Sequence, residues 1–130
     1  MVAEIRPYVR YFHSSQYIDD FANGEVCLVL GWSGDLYQAI NDALPGLNLE
    51  YVIPREGSIV WFDLLTIPAD APHPDNAHRL IDHLLRPEVA ARITNHTYYA
   101  NANQASVDQV SDQIRHDPAI YPPPEVMAKP

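Results

Sequence analysis

The sequence predicts an α/β fold, and three observations carry that expectation. Val26–Leu30 is a continuous apolar run bounded by Gly24 and Gly31, as expected of a strand buried on both faces. Leu47, Leu49, Tyr51 and Ile53 alternate with polar or smaller residues, and Ser58–Ile67 forms a third strand-like stretch ended by Pro68. Between and after these runs, apolar residues recur at helical spacing, and strands interleaved with helices define the class.

Each element has its own local signal. Ser14-Ser15-Gln16-Tyr17 opens a helix that runs through Ile18 and Phe21 and stops at Asn23-Gly24. Gly31–Asp35 reads as a tight turn, Leu36–Ala43 as a short helix, and Pro45-Gly46 as the next turn. Pro54-Arg55-Glu56-Gly57 breaks the second strand. Asp75 is a candidate cap for a helix in which Ala77, Leu80, Ile81 and Leu84 share a face. Pro87 sits where a following helix starts, with Val89 and Ile93 on it. Tyr98–Asn103 is a polar aromatic loop and Val107–Ile114 a last helix. Ile120–Pro124 is expected to be extended, because proline fixes φ and disfavours helix before it.

Composition bounds the function. With 130 residues, 47% hydrophobic and 19% charged, the chain is one domain's worth of globular sequence, not a disordered one. Eight basic residues against 17 acidic ones give a net charge of −9. That charge repels phosphate backbones, so no nucleic-acid partner is expected, and a cationic ligand or partner fits better. No apolar run approaches the roughly 18 residues of a membrane span, so no direct membrane insertion is expected. The single cysteine, Cys27, excludes an internal disulfide and a cysteine-rich zinc site, and its apolar run predicts that it is buried and inert. His73, His78 and His83 are spaced by five and do not share a helix face, so no metal site is expected.

Three places could carry chemistry. Trp32 and Asp35 lie where a buried strand meets a helix, and ligands bind at such strand ends in open α/β sheets. Asp35 is favoured as an anion near a helix N-terminus, although Asp35 with Gln38 also fits a capping-box variant and Trp32 fits plain core. Trp61 and Asp63, two apart, share one face of a strand with Ile59 and Leu65. An Asp there is costly to bury without a partner, which a neighbouring Arg or a helix end could equally supply. Tyr98-Tyr99 offers ring faces with hydrogen-bonding tips, as a ligand wall or as packing. Aromatic faces combined with carboxylates suit an organic cation.

The segments Tyr11–Ile18, Leu30–Asp35, Trp61-Phe62-Asp63 and Tyr98–Asn103 occur in order and at suitable spacing, with Leu84-Leu85-Arg86-Pro87 and Ile120-Tyr121-Pro122-Pro123 beside them. Together they resemble the bacterial periplasmic polyamine-binding proteins, the putrescine/spermidine receptors of ABC importers. The resemblance implies a non-enzymatic receptor in the periplasm that needs no cofactor and partners a polyamine and the inner-membrane permease. It implies a fragment of a two-lobed, type II periplasmic-binding-protein-like fold, the C-terminal part of a longer receptor, and so explains why Met1-Val2-Ala3-Glu4 shows no signal peptide. Residues 1–50 are assigned by it to the second lobe, 51–57 to a hinge crossing, 58–96 to the first lobe and 97–130 to the second. The family's ligand contacts fall on Trp32, Asp35, Trp61, Asp63 and Tyr99, with further contacts upstream of the chain. The alternative from another class is a small acidic hydrolase or transferase using Asp35 or Asp63 as general base. No nucleophile motif, phosphate loop or metal spacing accompanies it.

Overall fold

Tyr17 and Phe21 are four residues apart, a spacing that stacks them on one face of a helix. That face builds the first of the two compact units into which the computed structural model divides, between Glu50 and Tyr51. The structure describes residues 2–127, Val2 by its backbone alone, so Lys129 and Pro130 at the end of the last assigned segment lie outside it.

In the first unit a short helix α1 (Val2–Ile5) leads through a 3-10 turn at Arg6–Tyr8 to α2 (Gln16–Ala22) and α3 (Ser33–Asn41). The start of α2 is capped by His13, whose Nδ1 accepts the backbone N–H groups of Ser15 (3.2 Å) and Gln16 (2.9 Å). Its end is closed by Gly24 at φ +72°, where Gly24 N–H donates to Phe21 C=O and Glu25 N–H to Asp20 C=O. That paired pattern needs a left-handed residue, which glycine adopts without steric cost. Tyr17, Phe21 and Ala22 of α2 are buried together with Leu36 and Ala39 of α3, and Ala39 is fully enclosed. The first turn of α3 takes in Ser33, Gly34 and Asp35, so the expected tight turn is already helix.

The second unit contains α4 (Pro74–Leu84), α5 (Pro87–Thr97), a 3-10 segment Gln104–Gln109, α6 (Asp112–Arg115) and α7 (Pro124–Met127). Pro87 opens α5 as expected, and Asp75 lies in the first turn of α4, whose cap position is His73. Ala90, Ala91 and Thr94 of α5 are buried with Ser106, Val110, Ile114 and Ile120. The expected helix Val107–Ile114 is broken at Val110-Ser111. The Asn95 side chain takes the Ser111 N–H (2.9 Å) and donates to Gln109 C=O (3.4 Å), substituting for helical partners there. Ile120 is in a turn rather than extended, because Asp117 C=O accepts from both Ile120 and Tyr121 N–H, and Pro124 opens α7.

The β half of the expected α/β class is not present: there is no strand among the described residues. Residues 26–30, 47–53 and 58–67 follow irregular paths outside any strand ladder. Their apolar side chains are largely exposed, Leu28 at 91%, Leu30 at 97% and Ile59 at 86%. Cys27 is exposed too, contrary to its expected burial. The physical reason is that apolar patterning reports a tendency to be covered, whereas a strand exists only when a neighbour supplies its ladder. Within the described residues no such neighbour lies beside these segments.

Candidate functional site

The first unit builds a linked cluster around Tyr17. Its hydroxyl donates to Asp35 Oδ2 at 2.6 Å and accepts the backbone N–H of Trp32 at 3.2 Å. Tyr17 is 5% exposed, so its phenol needs partners, and these are the two residues that the sequence pairs at the start of α3. Burial first, and then the bond to Asp35, push the Tyr17 hydroxyl up to about 12, so it stays a neutral donor. Gly31 makes the approach possible. A Cβ there would sit 2.4 Å from Tyr17 Cε2, so only glycine lets the ring lie against that backbone. Trp32 is half exposed and Asp35 half buried at the N-terminal end of α3. The N-cap position of α3 is Trp32, so Asp35 lies inside the first turn of the helix and not at the cap that the expected box assigns to it.

The second unit holds the other three predicted residues. Trp61 Nε1 donates to Asp63 Oδ1 at 3.1 Å, both side chains being exposed. The two residues meet although the segment that carries them forms no strand. Tyr99 is 37% exposed and follows Tyr98, which sits at φ 60° and ends α5. The loop after it is fixed by polar contacts. Asn101 donates from Nδ2 to Thr94 Oγ1 (2.8 Å), and its Oδ1 accepts from Ser106 Oγ (2.8 Å) and Asn103 N–H (2.9 Å). Asn103 in turn donates to Leu85 C=O and accepts from Ala105 N–H, which ties the loop to the end of α4.

A pocket of about 400 Å³ in this unit is lined by Asn101, Ala102, Gln104, Val107, Arg115 and Tyr121, and by none of the five predicted residues. Arg115 in its wall is ion-paired to Asp112 and, at 3.6 Å, to Asp108. A wall carrying a guanidinium does not suit a cation. Trp61 with Asp63 places an indole next to a carboxylate, and Tyr17 links the Asp35 carboxylate to the Trp32 backbone. An indole beside a carboxylate is the chemistry that holds an ammonium on an alkyl chain. Sequence reasoning placed Tyr17 at the opening of a helix and Tyr98–Asn103 in a loop, but gave neither Tyr17 nor Asn101 a role. The signal for Tyr17 was available, in a phenol on the helix face that Phe21 marks as buried.

Residues 1–122 match the family of bacterial extracellular solute-binding proteins. The chain belongs to that family. It is 48% identical over 99% of its length to the putrescine-binding periplasmic protein PotF of Escherichia coli K12, covering 36% of that protein. It is 47% identical over 98% of its length to the putrescine/agmatine-binding protein of Pseudomonas aeruginosa PAO1, again 36% of the relative. A more distant solute-binding relative is the spermidine/putrescine-binding periplasmic protein of Salmonella typhimurium LT2, 34% identical over 97% of the chain and 35% of that protein. The chain thus spans about a third of the length of the curated relatives it matches. Family membership implies a two-lobed solute-binding fold; the described residues form helices joined by irregular segments. No described helix is long and apolar enough to cross a membrane.

Proposed function

We propose that the chain is part of a periplasmic polyamine receptor that delivers putrescine or spermidine to the permease of an ABC importer. The observation that carries this reading is the match along nearly the whole chain to relatives named for binding putrescine, at 46–48% identity. The site chemistry supports it. Asp35 and Asp63 neutralise ammonium groups, while Trp32, Trp61 and Tyr99 enclose the methylene chain. The net charge of −9 adds a favourable field for a dication. Ligand held by both lobes of the whole receptor would favour its closed form, the state a permease can distinguish.

The lobe assignment is part of the same proposal: 1–50 and 97–130 in the second lobe, 58–96 in the first, and the crossing at 51–57. Here α5 and the Gln104–Gln109 segment, which the assignment puts in different lobes, pack together. No observation favours the hydrolase or transferase reading of Asp35 or Asp63. The test uses a receptor of the relatives' length in which this chain replaces the matched segment of the Escherichia coli protein. Calorimetric titration is expected to show binding of putrescine or spermidine and none of 1,4-butanediol, which has the same carbon chain without charge. Equal response to diamine and diol, or to neither, overturns the reading.

A further inference from the structure

Asp35 is half buried, and a buried carboxylate that must meet a cation works best when its plane is already set. The Tyr17 hydroxyl sits 2.6 Å from Asp35 Oδ2 and 3.2 Å from the Trp32 backbone nitrogen. One phenol therefore ties both residues of the first cluster to α2. We propose that Tyr17 is a positioning residue: it orients the Asp35 carboxylate and the Trp32 backbone for an ammonium ligand without touching that ligand. The inference rests on the polyamine reading for what Asp35 binds, but not for how Asp35 is held.

Three features of the structure support the role. The phenol is buried by the packing of α2 on α3, so its position is fixed by the core. Gly31 admits the ring against its backbone, and any larger residue would displace it. A carboxylate offers about four lone-pair sites. The bond from Tyr17 to Oδ2 restrains how the group can turn, and a single such bond occupies only one of those sites. Because the donor is neutral, it does not cancel the charge that attracts the ligand, as an Arg or Lys in its place would.

The experiment has a ligand-free arm and a ligand arm. By NMR on the chimeric receptor without ligand, three-bond couplings at Asp35 are expected to report one χ1 rotamer, with the Tyr17 hydroxyl proton protected from exchange. Tyr17→Phe, which keeps the ring, is expected to average the Asp35 rotamers. Averaged couplings in the wild type, or unchanged single-rotamer couplings in the variant, overturn the inference. If the variant does not fold, the wild-type couplings and hydroxyl protection decide it alone. In the chimeric receptor, Tyr17→Phe is expected to weaken putrescine binding by about tenfold, and to weaken it no further in an Asp35→Asn background. Additive losses indicate general structural damage and overturn it. A wild-type chimera that binds no polyamine removes the function reading instead, and the NMR arm still decides the positioning.

Discussion

Tyr17 has a titration that can be followed directly. Folding moves its hydroxyl from an ordinary value near 10 up to about 12, first by burial and then through Asp35. The folded state therefore holds this proton more tightly than the unfolded one. The associated stability is fully present below about pH 10 and is lost as pH rises through 12. In tyrosinate absorbance, the component that disappears in Tyr17→Phe is expected to titrate above the ordinary range, and the melting temperature of the first unit to fall more over that window in wild type than in the variant, which keeps the raised Tyr11. A Tyr17 component titrating at the ordinary value contradicts the assignment. At this scale the sequence was readable where spacing alone sets geometry. Trp61 and Asp63, read as neighbours from their two-residue spacing, do meet, although the strand from which that reading started is not formed. The Tyr17–Asp35 bond spans 18 positions, and no local pattern encodes which carboxylate a buried phenol finds.

The helices were legible because their signals are local: Gly24 after α2, and Pro87 at the start of α5. The break at Val110-Ser111 was not, because the group that satisfies the backbone there is Asn95, a side chain from another element. The same limit hid the Asn101 network. Thr94 and Ser106 are both fully buried, and their hydroxyls are bonded to Asn101. Asn101→Ala leaves that buried pair without its shared partner, which costs about 2 kcal/mol or more. The expected result is a lower denaturation midpoint for the second unit and faster amide exchange through the Tyr98–Asn103 loop. A midpoint within error of wild type would show that the loop is held by something else.

For the whole molecule, the three apolar segments were read as strands, and none is formed among the described residues. Strand pairing is non-local, and this chain spans about a third of its relatives' length. Trp61, Phe62, Leu64 and Leu65 are all more than 60% exposed. Unpaired apolar segments recruit other chains. The chain by itself is therefore expected to self-associate, with scattering-derived mass rising across a concentration series, and a monomer at every concentration contradicts this. The central claim is that Asp35 and Asp63 hold the ammonium groups of a polyamine. It is tested most directly by putrescine calorimetry on the chimeric receptor carrying Asp35→Asn and Asp63→Asn together. Losing two desolvated charge partners costs on the order of 4 kcal/mol, so affinity is expected to fall by about a thousandfold; an affinity within a few fold of wild type would contradict the account.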